Sequence, residues 1–418
     1  MNIGYACMTV GVPYTDFSSC RLKNASKERL NDITYHNIKI LDKIVDYNIA
    51  NGIRLFRISS DLIPFGSHAV NTLRWWELFQ TEFDAIGKKI KDHDIRVSMH
   101  PGQYTILNSP HPLVVESAVE DLVYHNRLLD ALHTDHSNKI VLHIGGLYGD
   151  KKQSIQRFIT NYALLPDNIK TRLIIENDDK FYHVRDLLEI GHSLNIPVVY
   201  DNLHNRLFTD NAERSNSEWI ELCAATWKQQ DGTPKIHYSQ HNLQKRKGSH
   251  SDTVKTDEFL HFYHSLKNKN LDIMLEVKDK NISANKCINL IHDDTSIVRL
   301  QTEWKRYHYK VMECSSRIYC EINALLKNAS SYPVQEFYTL IETALEQGTS
   351  KQGLIETCLH LWEVLKNKAD EKQKNAFFTK LNMFKKDKCS AQAIKNVLFR
   401  MAALQEENDL LHSYFFYI

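Results

Sequence analysis

Several features common in other protein classes are missing from this chain. It has no run of about 18 uncharged apolar residues, and its first ten residues, MNIGYACMTV, lack the basic start and long apolar middle of a secretory signal. Neither a membrane span nor a cleaved leader is expected, and a cytoplasmic location is. The eight cysteines (Cys7, Cys20, Cys223, Cys287, Cys314, Cys320, Cys358 and Cys389) include no Cys-x-x-Cys pair. Their scatter argues against a zinc knuckle or a disulfide frame and for reduced thiols that pack as small apolar groups. No Gly-x-Gly-x-x-Gly turn occurs, which removes the main support for a doubly wound dinucleotide-binding sheet. The formal net charge is +1, so no global field draws in a polyanion. Any such partner must be held by local groups.

What the sequence does contain is a repeated device. Ile95–His100 alternates like a strand and stops at His100, where Pro101-Gly102 turns the chain. The runs IVLHIG, LIIEN and VVYDNLH place His143, Glu176, Asp201 and His204 at similar strand ends, and KIH and IMLE do the same for His237 and Glu276. Between these runs lie stretches with apolar residues three and four apart, as in Ile38, Leu41, Ile44, Val45 and Ile49. Eight strands each followed by a helical connection, all before about residue 295, predict parallel strands in a (β/α)8 TIM barrel. From 296 to 418 only helical periodicity remains, punctuated at Ser331-Tyr332-Pro333 and Gln347-Gly348-Thr349. The expected organisation is a catalytic barrel over 1–295 and an all-α C-terminal domain over 296–418, the latter with no role readable from its residues. The aromatic tail Tyr414–Tyr417 is expected to pack into that domain.

In such a barrel every βα loop opens on one face, so the strand-end residues converge on one mouth. His100, His143, His204 and His237, with His68 and His250 from loops, make six imidazoles; Glu176, Asp201 and Glu276 add three carboxylates. Imidazole with carboxylate suits Zn, Mn or Fe. One ion takes four to six such groups, so the set predicts two or three divalent ions with Glu176 or Glu276 bridging. Paired ions can activate a water and stabilise the leaving oxygen of a phosphoryl displacement. Lys235 lies two residues before His237 on the same strand face, where an ammonium is disfavoured; a neutral amine, a phosphate contact and a carboxylated side chain all remain open. The loop Lys245-Arg246-Lys247 suits a phosphate backbone, and Gln103-Tyr104 suits insertion beside displaced bases.

Taken in order, Asn2–Tyr5, FRISS (56–60), SMHPGQY (98–104), VLHIG (141–145), IEN (175–177), DNLH (201–204), KIHYS (235–239), GSH (248–250) and LEVK (275–278) resemble the UV damage endonuclease family across roughly residues 1–300. The resemblance implies a metal-dependent barrel that nicks damaged double-stranded DNA immediately 5′ of UV photoproducts and some other lesions, leaving a 3′-hydroxyl and a 5′-phosphate, with Mn2+ as the expected metal. It implies metal ligands at His68, His100, His143, Glu176, Asp201, His204, His237, His250 and Glu276, and a lysine at Lys235 that the family can carry carboxylated. It also implies lesion contacts by Gln103 and Tyr104 and a place near the scissile phosphate for Tyr5. The Ala-Cys-Met-Thr that follows Tyr5 has no asparagine where the family has one. The rival readings are an apurinic endonuclease, a sugar isomerase or epimerase on a similar barrel, and a non-catalytic DNA-binding protein with structural metals.

Overall fold

The computed structural model describes residues 1–209, 214–292, 296–328 and 332–418. Ser331, expected to punctuate the helical series, lies outside the described residues. The chain divides into two compact units: Met1–Thr9, Tyr14–Val254 and Glu258–Asn285 form the first, and Val10–Pro13, Lys255–Asp257 and Lys286–Ile418 the second.

The first unit is a TIM barrel. Its eight strands are β1 (Ile3–Cys7), β2 (Leu55–Ile58), β3 (Arg96–Met99), β4 (Lys139–His143), β5 (Leu173–Glu176), β6 (Val198–Asp201), β7 (Lys235–Tyr238) and β8 (Asp272–Leu275). They pair in parallel in sequence order and close through β1 with β8. Helices such as Lys27–Ala50, Pro112–Ala131 and Val184–Leu194 run between them. The last of these has apolar residues on one face and buries Val184, Leu187 and Ile190, while a capping box at His183 satisfies its first amides. One element departs from the expected loop: β6 passes straight into the short helix Asn202–Leu207, with the Asp201 side chain accepting from the His204 N–H as its cap.

Register decides which side chains fill the barrel, because strand residues alternate between the two faces. The pairings Ala6↔Arg57, Arg57↔Ser98, Ser98↔Lys139, His143↔Glu176, Asp201↔His237 and His237↔Met274 put these residues on the inner face. A middle layer of Val141, Ile174 and Val199 packs there, capped below by Trp227. The interior therefore has an apolar waist between two polar ends.

The second unit is helical over its described residues, with Ile297–Cys314, Ser316–Asn328, Val334–Gln347, Lys351–Leu365, Glu371–Lys385 and Ala391–Leu404 as its longer helices. Its core includes Leu361, Leu365, Leu381, Ile394, Leu398 and Met401, with Trp362 and Phe377 stacked at 5.0 Å. Phe415 and Phe416 of the tail enter this core, as expected. Glu313 is buried between Lys310 and Lys395, 3.0 Å from each. No helix among the described residues is long and apolar enough to cross a membrane.

Candidate metal centre

The C-terminal end of the barrel gathers the strand-end residues around one carboxylate. Glu176, at the end of β5, is fully enclosed, and both its oxygens face imidazoles. His100 Nε2 is 3.0 Å from Oε2 and His237 Nδ1 is 2.9 Å from Oε1, with His143 Nε2 at 3.7 Å and His204 Nδ1 at 3.6 Å. Burial opposes ionisation of Glu176, yet the field of His237 and His143 and the hydrogen bonds from His100 and His237 outweigh it and hold the carboxyl well below the usual range.

Two sets of ligand atoms each lie within 4.8 Å of one another: His100, Glu176 and His237, and Glu176, Asp201 and His204. Glu176 belongs to both. Asp201 uses Oδ1 to cap the following helix, while its buried Oδ2 has no hydrogen-bond partner among the described residues; the same holds for the buried His237 Nε2 and His143 Nδ1. Buried polar atoms without partners are costly, and three of them on residues grouped around Glu176 fit a bound cation. Burial lifts the Asp201 carboxyl to about 6, against the pull of His204, with Glu176 and Glu276 reinforcing the rise. For His204 burial acts the other way, but Asp201, Glu176 and Glu276 win and raise it to about 9. His143 is pushed down to about 4, chiefly by burial. The neighbouring groups thus hold different protonation tendencies within a few ångströms.

Glu276 forms the other flank. Its Oε1 lies 2.5 Å from Arg57 Nη1 and 3.4 Å from His237 Nδ1, and its Oε2 lies 3.7 Å from His250 Nε2. His250 reaches the site because the chain after β7 folds back on itself: His241 and His250 form an antiparallel bridge, and Ser251 N–H donates to the Gln240 carbonyl at 2.8 Å. Arg57 was not singled out from the sequence, where it reads only as part of FRISS. Alternation across Leu55 and Arg57 was the signal that could have found it. Lys235 is 2% exposed on the inner face of β7, and burial, then Arg96 and Arg57, drive its pKa well below the usual lysine range.

The sequence comparisons agree with this geometry. Residues 1–310 match the UV-endonuclease UvdE family, and residues 308–418 match a family of proteins of unknown function, DUF1722. The UV DNA damage endonuclease of Clostridium perfringens (strain 13 / Type A) is 39% identical over 385 residues, covering 91% of this chain and 92% of that one. The chain belongs to the UV-endonuclease UvdE family. The UV DNA damage endonuclease of Bacillus cereus (strain Q1) is 34% identical over 277 residues, which is 66% of this chain and 86% of its own. The crystal structure of SacUVDE superposes with a TM-score of 0.66 at 37% identity, over 70% of this chain and 98% of that one.

The other residues expected at the site stand apart from the two ligand sets. Tyr5 faces away from the mouth. It pairs with Phe56 and Leu275, both on the outer face, and its fully buried hydroxyl donates to Asn48 Oδ1 at 2.7 Å on the surrounding helix. Strand parity therefore turns its side chain away from the interior of the barrel, where the strand-end carboxylates gather. His68 is exposed, its Nδ1 accepts from the Val70 N–H at 3.0 Å, and it joins neither ligand set. Gln103 and Tyr104 are exposed at the end of β3, with Tyr104 70% accessible. Lys245 is drawn to Asp252 at 3.0 Å, whereas Arg246 and Lys247 form no ion pair with a described residue. A further cationic feature was missed in the sequence: the loop after β1 and the first turn of the helix Lys27–Ala50 line a cavity of about 550 Å³ with Ser19, Cys20, Arg21, Lys23, Asn24 and Arg29. Arg21, Lys23 and Arg29 are close together in the sequence, where they read only as a polar loop and the start of a helix.

Proposed function

We propose that this UV-endonuclease hydrolyses duplex DNA immediately 5′ of UV photoproducts and some other lesions, leaving a 3′-hydroxyl and a 5′-phosphate, with two or three divalent ions and Mn2+ as the working metal. The catalytic assignment belongs to residues 1–295; residues 296–418 carry no assigned step. The observation that carries the reading is the pair of ligand sets sharing Glu176, with unpartnered atoms on Asp201, His237 and His143. His100, His143, Glu176, Asp201, His204, His237 and Glu276 would hold the ions, with His68 and His250 as ligands from loops. Bound there, divalent ions supply an activated water and charge stabilisation at the leaving oxygen.

The chain's own residues do the rest. Glu176 lies between the two sets, so one carboxylate fixes their separation. Arg57 holds Glu276 Oε1 and leaves Oε2 turned toward His250. Lys235 is nearly sealed from solvent and weakly basic, which suits carboxylation or a phosphate contact better than a free ammonium. Gln103 and Tyr104 stand outside the mouth, where an aromatic ring and an amide can meet displaced bases. Arg246 and Lys247 on the loop after β7, Arg21 and Lys23 on the loop after β1 and Arg29 at the start of the helix that follows supply phosphate contacts at the rim.

The test is product mapping on an end-labelled duplex with one pyrimidine dimer. The expected product is a single nick on the 5′ side of the dimer whose 3′ end extends with a polymerase. A nick 3′ of the dimer, or cutting confined to abasic sites, contradicts the proposal. Turnover of a ketose in place of DNA would favour the sugar-isomerase reading.

A further inference from the structure

Asp121 lies outside the barrel, on the helix Pro112–Ala131, and is 3% exposed. Its two oxygens serve two different loops. Ser67 Oγ donates to Oδ1 at 2.9 Å, and Thr105 Oγ1 donates to Oδ2 at 2.6 Å. Ser67 directly precedes His68, and Thr105 directly follows Gln103-Tyr104. One turn along, the same helix offers Tyr124, whose hydroxyl donates to the Ser60 carbonyl at 2.8 Å, and Ser60 Oγ donates to the His100 carbonyl at 2.9 Å. A single helix thus ties down the strand-end histidine and both loops beside it.

The loop that carries Tyr104 has a fixed foot and an open tip. Thr105 and Leu107 are buried, the Thr105 N–H closes a turn on the Gly102 carbonyl at 2.9 Å, and Asn161 Nδ2 donates to the Leu107 carbonyl at 2.7 Å. Tyr104 itself is largely exposed, and its ring lies so close over Gly102 that a Cβ there would meet Tyr104 Cε1 at 2.4 Å. A side chain at position 102 would push the exposed Tyr104 ring aside. The side-chain hydrogen bond from Thr105 to Asp121 is the one that joins this foot to the rest of the scaffold by a charged acceptor, and such bonds are shorter and stronger than neutral ones.

We propose that Asp121 is a positioning residue with two independent arms: through Thr105 it sets where Gln103 and Tyr104 stand against damaged DNA, and through Ser67 it sets the His68 loop. This rests on the reading of the site as a lesion-cutting metal nuclease. Preorganised contacts lose affinity when their support is loosened, even though the contacting side chains are intact.

Four variants separate the arms: Thr105→Val, Ser67→Ala, Asp121→Ala and Asp121→Asn. Thr105→Val should raise KM on a dimer-containing duplex about tenfold and narrow the ratio of damaged to undamaged binding by a similar factor, with Mn2+ affinity unchanged. Ser67→Ala should weaken Mn2+ affinity and leave that ratio alone. Asp121→Ala should do both, and Asp121→Asn, whose amide can still engage both hydroxyls, should recover most of each. Amide hydrogen exchange over residues 102–107 supplies a readout that needs no turnover, and should quicken in Thr105→Val and Asp121→Ala. A shift in thermal stability alone, with lesion ratio, Mn2+ affinity and exchange as in wild type, would overturn the proposal, as would both arms failing together in either single-arm variant. If the wild-type protein does not cut the dimer duplex, the nuclease reading falls, and the exchange measurement still decides whether Asp121 orders the loop.

Discussion

At the end of the barrel where the strands begin, Lys139 donates to Asp231 at 2.6 Å and to the Thr171 carbonyl at 2.7 Å. Arg96 reaches Asp272 at 3.1 Å and the carbonyls of Ser137, Thr233 and Asp231. Arg172 places both terminal nitrogens on oxygens and leaves only its Nε unpartnered. At the other end, Glu176 is shared by several imidazoles, while Asp201 Oδ2, His237 Nε2 and His143 Nδ1 find no hydrogen-bond partner among the described residues. Both ends bury charge, but one closes on itself and the other leaves polar atoms unused on residues around Glu176. Buried charge that is internally satisfied reads as structural, whereas buried charge with unused polar atoms marks a candidate binding site.

This contrast can be broken by mutation, and the largest effect is expected at the open end. Glu176→Gln should lower kcat by roughly a thousandfold or more, equivalent to about 4 kcal/mol of barrier, while thermal stability changes little. Steady-state nicking and a melting curve check it together. The reverse pattern is expected at the closed end. Lys139→Met strands Asp231 and should cost about 3–5 kcal/mol of stability, read by denaturant titration, with kcat of the folded fraction unchanged. A Lys139 variant that loses activity but not stability would erase the distinction between the two ends.

Smaller effects sharpen the open end itself. Tyr104→Ala should weaken damaged-duplex binding by roughly 1–3 kcal/mol with little change on undamaged DNA, measured by titration of both duplexes. The triple variant Arg21→Ala, Lys23→Ala, Arg29→Ala should weaken both duplexes alike and flatten the salt dependence of binding by about one unit for each phosphate contact removed. Tyr5→Phe should have the least effect, roughly 1 kcal/mol of stability from the lost bond to Asn48, with kcat unchanged.

The barrel was legible in the sequence because each strand is a short apolar run ending in a residue that has no reason to be buried without a partner. That same pattern named the histidines and carboxylates that gather around Glu176. What the sequence could not supply was register. Tyr5 belongs to a motif next to the site, but its face depends on pairing with Phe56 and Leu275, and that pairing turns it outward. Arg57 is turned inward by the same geometry, one strand away. Asp121 was hidden for another reason: it sits within a helix, and its partners Ser67 and Thr105 lie on loops whose approach is a tertiary fact. Lys245 shows the limit of reading charge runs, since Asp252 seven residues later claims it. The helix Asn202–Leu207 was missed because its start is also the end of β6, with Asp201 serving both.

The account's central claim is that the open end of the barrel is a metal-dependent nuclease centre built on Glu176. The most direct measurement is cutting of a duplex with a single pyrimidine dimer by wild type and Glu176→Gln, each with Mn2+, with EDTA, and with Mn2+ restored after EDTA, alongside the number of Mn2+ ions each protein binds. The account predicts that the wild type cuts with Mn2+, stops with EDTA and resumes on restoration, while Glu176→Gln remains folded, binds fewer ions and does not cut. Cutting that survives EDTA, or a Glu176→Gln protein that cuts at the wild-type rate, would contradict it.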